Sequence, residues 1–416
     1  MKLFSRAAWF AVLVFGFFMF GYSWRDLQNL QTPSPRAIKA LFGVKSTPKA
    51  SPEQVFQSNY SRILADYYKP VKANELKYAA MEGLMASLGD PHTVFLPPQA
   101  AQAFQDETKA NFYGVGARLS PDTAGARVAT VFEDGPAYAA GLRAGDIVTG
   151  VNGKSVAGET IDKIVDVVKG KEGTTVNLTV LRKDAPKPLK ITITRRRVTI
   201  PTVEGKFFAD SGVGYMSVLG FSEPTALQFD RELKKLEQNK LKGLVIDLRG
   251  NPGGLLETAV DMLSRFVDQK LVVRMKFRGG QEEVAYTERG QLHNFNYPVT
   301  VLMNEDSASA SEIFAGCLKD YGKATLVGTH SYGKASVQNV FPLVDQSSAK
   351  ITIARYFLPI TPFFGRKVDE DNVFVSGGLE PHVKVELDLD KDPELGDPKT
   401  DSQLQKAIEV IQQKSR

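Results

Sequence analysis

From residue 211 to residue 385 the chain alternates short apolar runs with helix-length segments. Leu244-Val245-Ile246-Asp247-Leu248 has the length of a strand and a single polar side chain. A helical stretch over 255–267 follows it. Val299-Thr300-Val301-Leu302-Met303 is a second such run, and a second helix is expected over 309–321. This order predicts an α/β core. With 416 residues the chain is too long for one ordinary core, so further domains are expected.

The flanking segments differ in kind. Residues 51–109 carry helical spacing, with Ser51-Pro52-Glu53 as a helix start and Leu88-Gly89-Asp90-Pro91-His92 as the stop of a second helix. Residues 110–198 are rich in glycine and β-branched side chains. Within them Asn152-Gly153 marks a hairpin turn, Ile161, Ile164, Val165 and Val168 mark a short helix, and 176–180 and 189–193 read as strands. An acidic, proline-bearing linker leads to a short amphipathic helix over 401–413. The resulting division is 1–25 membrane anchor or signal segment, 26–50 linker, 51–109 helical region, 110–198 β-rich domain, 199–385 α/β core, and 386–416 linker and helix.

Lys2 and Arg6 precede an uncharged apolar run over residues 7–24. Its 18 residues exceed the roughly 7–15 of a signal-peptide core and fit the roughly 17–25 of a spanning helix. No small-x-small cleavage site follows, since Tyr22 and Trp24 are bulky. The expectation is an uncleaved single-pass anchor in the cell membrane, with the rest of the chain in the periplasm or another extracytoplasmic space. A cleaved signal peptide is the alternative, and it exports the chain as well. The net charge of +5 is spread along the chain, so nucleic acid is not an expected partner. Arg195-Arg196-Arg197 reads as the solvated end of a strand. The single cysteine, Cys317, forms no internal disulfide and reads as a small buried filler. No Cys/His cluster suggests a metal site.

Three segments carry chemistry. Asn304-Glu305-Asp306-Ser307-Ala308-Ser309-Ala310-Ser311-Glu312-Ile313 follows a strand and opens a helix. A hydroxyl at such a turn faces substrate near the positive end of the helix dipole. Taken alone, Ser/Ala repeats at helix starts are more often caps, and Ser307, Ser309 and Ser311 stand as alternatives. Gly333-Lys334-Ala335-Ser336-Val337-Gln338 offers a lysine after a glycine that permits close approach. Gln338 faces Lys334 if this turn is helical. A lysine acting as base must be neutral, yet on the order of one free lysine in a few thousand is neutral at pH 7. Desolvation lowers the pKa enough to reverse this, so Lys334 must be buried. Asp247-Leu248-Arg249-Gly250-Asn251-Pro252-Gly253-Gly254 is a Gly-rich turn whose N–H groups suit an oxyanion, or it is an αβ turn needing positive φ. No G-K-[ST] follows, which disfavours phosphate binding. No G-x-S-x-G or H-E-x-x-H occurs, and His92, His293, His330 and His382 sit in no nucleophile-activating motif.

The 110–198 segment resembles a PDZ domain. Gly114-Val115-Gly116-Ala117 sits where such domains bind a terminal carboxylate, and Gly135-Pro136-Ala137 through Asp146 is the more specific stretch. An incoming peptide would add a strand to the sheet edge, its last side chain entering a pocket that includes Val115 and Ile164. Together with the three chemical segments, Leu88-Gly89-Asp90-Pro91-His92 and Ala354-Arg355-Tyr356, this resembles the carboxyl-terminal processing proteases, the tail-specific Ser-Lys peptidases. The likeness spans nearly the whole chain beyond the linker.

The resemblance implies that Ser309 is the nucleophile, Lys334 the general base and then acid, and Gln338 the residue that orients Lys334. It places the oxyanion hole at the N–H groups of Ala310 and Gly253, or Gly254 in its stead, and gives Asp320 a structural role. It implies no metal or other cofactor. Ala335 stands where the family usually has Gly, Ser331-Tyr332 where Thr-Phe is usual, and 358–364 departs from the usual Pro-Ser-Gly-Arg. These departures bear on substrate preference and leave the pair intact. The expected architecture is a PDZ-like β-rich domain inserted before an α/β serine protease core, with an N-terminal helical segment. The expected activity is an endopeptidase that takes unfolded or tail-exposed proteins by their C-termini and cleaves through an acyl-enzyme, the PDZ domain gating the site as well as binding. A non-catalytic tail-binding scaffold and a hydrolase of small acyl substrates are the rivals. The membrane is an expected partner through the N-terminal helix, and a homo-oligomer or an adaptor protein stays open.

Overall fold

The computed structural model describes residues 50–370, 373–388 and 393–415. The expected anchor over 1–25 and the linker up to residue 49 lie outside the described residues. Among the described residues no helix is long and apolar enough to cross a membrane. The chain divides into two units, which meet at Ala79 and Ala80. In the first, Ser51 caps α1 (Pro52–Asp66): its hydroxyl accepts the Gln54 N–H at 3.3 Å, and the Gln54 side chain accepts the Ser51 N–H at 2.9 Å. Helix α2 (Ala73–Ala86) begins in this unit and ends in the second, where Gly89 turns the chain at φ +65°.

The helical spacing expected to run to residue 109 is broken by β1 (Val94–Leu96) before α3 (Pro98–Thr108). The cause is tertiary: β1 finds a partner strand some 250 residues away, in β18 below.

The next module runs β2 (Asn111–Gly114), β3 (Ala117–Asp122), β4 (Gly125–Val131), α4 (Pro136–Ala139), β5 (Ile147–Val151), β6 (Lys154–Ser155), α5 (Ile161–Val168), β7 (Thr175–Leu181), β8 (Leu189–Thr194) and β9 (Arg196–Thr199). Its sheet has the order β3-β4-β5-β7-β8, with β3 at one edge and β6 on β5. Asn152 at φ +51° and Gly153 at φ +80° make the expected β5–β6 turn. Strands β2 and β9 pair with each other, so the module leaves the chain where it joins it. Of the Arg195-Arg196-Arg197 triplet expected to be solvated, Arg196 and Arg197 are exposed and Arg195 is not. Arg195 is buried, and its guanidinium donates to the Val167 and Val168 carbonyls at 3.1 and 2.8 Å. It closes the C-terminal end of α5, where carbonyls lack helical partners.

The core continues through β10 (Val203–Phe208), β11 (Val213–Val218), α6 (Thr225–Glu237), β12 (Gly243–Asp247), α7 (Leu256–Leu263), β13 (Leu271–Phe277), β14 (Glu282–Tyr286), β15 (Val299–Met303), α8 (Ala310–Asp320) and β16 (Thr325–Gly328). Then follow β17 (Ser336–Pro342), β18 (Ser348–Phe357), β19 (Lys367–Val368), β20 (Phe374–Ser376), β21 (Val383–Lys384) and α9 (Ser402–Lys414). The main sheet has the order β10-β11-β12-β15-β16-β21, antiparallel at β10–β11 and parallel elsewhere. Every residue of β12 and β15 is buried, as expected of parallel strands covered on both faces. Leu244, Ile246 and Met303 meet Met262 of α7 and Phe314 of α8 on one face. Val245 and Leu302 meet Leu404 and Ile411 of α9 on the other. The C-terminal helix is therefore one wall of the core. A second, antiparallel sheet of order β1-β18-β13-β14, with β17 on β18, carries the lysine segment.

A buried ion network fixes the turn after β12. Arg249 bonds Asp247 and Asp401, each at 2.6 Å, and Gln403 at 3.0 Å, while the Tyr215 hydroxyl donates to Asp247 at 2.8 Å. Burial alone would push the Asp401 carboxyl up, but Arg249 and the Gly396 and Leu404 N–H groups outweigh it and hold it below the usual range. A depressed folded pKa stabilises the fold above the unfolded value of about 4 and is lost as pH falls below it. Asp401→Ala leaves Arg249 short of one buried partner and removes the α9 cap. We expect a loss of about 3–5 kcal/mol by denaturant unfolding at neutral pH, shrinking as the pH falls below about 4.

Candidate active site

The serine segment lies at the N-terminal end of α8, and the three serines have separate roles. Ser307 is buried and donates its hydroxyl to the Leu248 carbonyl at 2.8 Å. Ser311 is buried and donates to the Asn251 carbonyl at 3.0 Å. Both tie the serine loop to the Gly-rich turn. Ser309, half-buried between them, has φ +55° and ψ −116°. For a residue with a Cβ this is a strained conformation, costing on the order of 1–3 kcal/mol. The surroundings hold it there. Its N–H donates to Glu312 Oε2 at 2.8 Å, one half of a capping box at the start of α8.

Glu312 is the center of the site. Its Oε1 accepts from the Ser331 hydroxyl at 2.5 Å and the Gly333 N–H at 2.6 Å. Its Oε2 accepts from the N–H groups of Ser309 and Lys334, at 2.8 and 2.9 Å. Burial pushes this carboxyl above its usual range, and the four donors hold it back. Since every contact is a donor, the arrangement suits the carboxylate. One oxygen thus binds the backbone of both Ser309 and Lys334. The buried Tyr356 hydroxyl adds a second link, donating to the Lys334 carbonyl at 2.6 Å with the Ser309 carbonyl 3.4 Å away.

Lys334 is half-buried, and burial, helped by the nearby Lys350 charge, lowers its pKa to about 8. Glu312 and Asp90 oppose the shift without cancelling it. His92 borders the lysine. Burial and the Lys334 charge push its own pKa down, and it bonds no serine among the described residues. Gln338 does not lie on a helical turn with Lys334. Residues 336–342 form β17, because they pair along β18, with a bulge between Val337 and Gln338. The Gln338 amide donates to Ser336 Oγ and Thr352 Oγ1, at 2.9 and 3.1 Å.

The Gly-rich turn packs directly on the serine. Asn251 is wholly buried. Its side chain donates to the Val218 carbonyl at 2.7 Å and accepts the Gly253 N–H at 2.9 Å, while its carbonyl accepts the Ala308 N–H at 3.0 Å. The Gly253 N–H is therefore already committed, against its expected place in an oxyanion hole. The N–H groups of Gly254 and Ala310 enter no hydrogen bond among the described residues. Gly253 has φ +96°, and a Cβ there would lie 2.5 Å from the Ala308 carbonyl and 2.8 Å from both Ser309 Cβ and the Ala310 nitrogen.

Glu312 and Asn251 were not singled out from the sequence. Ser309-Ala310-Ser311-Glu312 has the spacing of a capping box, a signal that would have marked Glu312. Asp320 has the structural role expected of it: its carboxylate accepts the Ile360 and Thr361 N–H groups at 2.8 and 3.0 Å. Cys317 is buried in the core as expected. No cluster that would hold a metal occurs among the described residues.

In the β-rich module, Val115 and Ile164 belong to the hydrophobic core, 3% and 1% exposed. The Val115 carbonyl accepts the Ala137 N–H at 2.7 Å and that of Gly116 accepts Phe132 at 2.9 Å. The N–H groups of Val115 and Gly116 enter no hydrogen bond among the described residues. Gly114 ends β2 opposite Arg196.

A strained serine at a helix start, a half-buried lysine held by the same carboxylate, and a glycine turn against the serine suit the chemistry of a serine hydrolase. The chain matches the model of peptidase family S41 over residues 212–385 and that of the PDZ domain over 127–182. It is 30% identical over 396 residues to the carboxy-terminal processing protease CtpB of Bacillus subtilis (strain 168), spanning 92% of this chain and 82% of that one. It is 32% identical over 382 residues to the carboxy-terminal-processing protease of Bartonella bacilliformis, spanning 86% and 87%. A solved Bacteroides fragilis structure assigned to the S41 proteases shares the fold, with 19% identity and a TM-score of 0.54 over 88% of this chain and 99% of that one. The chain belongs to the S41 family of carboxy-terminal processing proteases. It is a serine-type peptidase with a PDZ domain ahead of its protease core.

Gly253→Ala should place a methyl group against Ser309 in a backbone conformation that favours glycine. We expect kcat to fall by at least about 10²-fold, well beyond what a loss of about 1–3 kcal/mol in stability explains. Turnover and denaturant unfolding of the same preparation check this.

Proposed function

We propose that the chain is an extracytoplasmic endopeptidase that cleaves by a Ser309–Lys334 mechanism after capturing substrate tails on its PDZ domain. The observation that carries the mechanism is the shared Glu312 Oε2, which draws the Ser309 and Lys334 backbones together from segments 25 residues apart. With a pKa of about 8, about a tenth of Lys334 is neutral at pH 7. The neutral amine takes the Ser309 proton as the hydroxyl attacks the scissile carbonyl. The N–H groups of Ala310 and Gly254 stabilise the oxyanion. The lysine ammonium then protonates the leaving amine, and water, activated by the same lysine, releases the acyl group. Gln338 orients Lys334, its amide N–H groups being taken by Ser336 and Thr352 and its carbonyl oxygen left as an acceptor.

Substrate capture rests on two features of the PDZ module. The edge of β3 is unpaired within its sheet and lies beside α5, the arrangement that accepts an added peptide strand. The unused Val115 and Gly116 N–H groups form a nest for the terminal carboxylate. Lys2, Arg6 and the apolar run over 7–24 support a membrane anchor and export of the catalytic part. Tail capture favours unfolded or tail-exposed proteins over small acyl substrates.

Three measurements test this. The rate of acylation should rise as pH increases through about 8, because deprotonation creates the base. A rate that climbs only near the free-lysine value of about 10.4 would contradict a desolvated Lys334. Cleavage of an unfolded protein should be lost in Ser309→Ala and in Lys334→Ala with folding intact. For the PDZ module, amidating the substrate C-terminus should raise KM severalfold and leave kcat in place. An unchanged KM would remove the carboxylate from recognition.

A further inference from the structure

Leu88-Gly89-Asp90-Pro91-His92 sits far from the serine and lysine segments in sequence and has no part in the steps above. The fold brings it onto β18, beside the lysine segment. The Asp90 carboxylate accepts the Thr93 hydroxyl at 2.7 Å and the His92 N–H at 2.9 Å. The buried Thr93 hydroxyl accepts in turn the Thr352 N–H of β18, at 3.0 Å. The Thr352 hydroxyl accepts Gln338 Nε2 at 3.1 Å. Burial alone would raise the Asp90 carboxyl, but Thr352, Thr93 and the His92 N–H outweigh it and hold it low. Asp90 is also among the charges that act on Lys334.

We propose that Asp90, Thr93 and Thr352 form a positioning relay that fixes the Gln338 amide for its work on Lys334. The chemistry of the amide gives the relay its sense. Both Gln338 N–H groups are taken, one by Ser336 and one by Thr352. The amide is then locked against a flip, and its carbonyl oxygen has no partner among the described residues. Only an acceptor is left to present, and an acceptor is what a lysine amine or ammonium requires. Thr352 is suited to the task because its hydroxyl accepts from Gln338 while its N–H is tied to the Thr93 hydroxyl, which Asp90 holds in turn. A Thr352 released from that tie would be free to donate to Gln338 instead, turning the amide over. The relay therefore couples the loop after α2 to the orientation of the base, and its residues touch no reacting atom. It rests on the reading of Lys334 as base and Gln338 as its orienting partner.

The test is a double-mutant cycle in the full chain, following kcat and KM on an unfolded protein substrate. Thr352→Val keeps the shape and removes the hydroxyl, and Thr352→Ser restores it. The relay predicts that Thr352→Val lowers kcat by about tenfold with KM unchanged, that Thr352→Ser stays near wild type, and that Thr352→Val costs nothing further once Gln338→Ala is present. A Thr352→Val enzyme as fast as wild type overturns the relay. So does an equal cost of Thr352→Val with and without Gln338, which marks a structural role. If Gln338→Ala itself leaves kcat unchanged, the orienting role of Gln338 fails, and the relay falls with it.

Discussion

The carboxylate of Glu312 is buried where an unpaired charge would be very costly, and the site takes its shape from how that charge is satisfied. Its four donors come from three places: the N-cap of α8, the loop after β16, and the backbone of the lysine itself. No donor can be removed without leaving charge poorly solvated. The carboxylate thereby fixes the distance between two segments, which the Tyr332 N–H also ties together by donating to the Ser307 carbonyl at 3.0 Å. It also supports the strained backbone of Ser309, which a free chain would relax. Tyr356 reinforces the arrangement from the opposite sheet, by bonding the Lys334 carbonyl.

The two sheets supply the two halves of the chemistry. The main sheet presents the Gly-rich turn after β12 and the serine loop after β15, neighbouring parallel strands whose loops emerge at the same edge. Asn251, Ser307 and Ser311 stitch those loops together, and the Arg249 network anchors the first of them to the C-terminal helix. The second sheet presents Lys334 and Gln338 on and before β17. The lysine is lowered to about 8 because this junction desolvates it and adds the Lys350 charge. A short activated pair thus depends on residues from Asp90 to Asp401.

Local patterns were legible where local physics decides. The buried strands β12 and β15, the Asn152-Gly153 turn, the Ser51 cap and the final helix all follow from periodicity and cap chemistry. The serine and lysine segments were visible as motifs, but the residues alone left Ser307, Ser309 and Ser311 open. What separates them is tertiary: two hydroxyls are spent on carbonyls of a turn some 60 residues earlier. Four-residue spacing lets Gln338 face Lys334 only on a helical turn, whereas pairing with β18 makes this segment a strand. Strand β1 within a helical stretch and Arg195 beneath α5 have the same origin, since long-range partners override local preference. Gly253 packs against the serine, but its N–H belongs to Asn251, which no spacing reveals.

The most direct measurement is the rate at which a fluorophosphonate labels Ser309 in folded Glu312→Gln. Glutamine keeps one acceptor oxygen and turns the other into a donor, against N–H groups that need acceptors. If Glu312 sets the serine and lysine in place, labelling should slow by at least about tenfold, and raising the pH should not restore it. Labelling at the wild-type rate would show that the pair holds its geometry without this carboxylate, and would contradict the account.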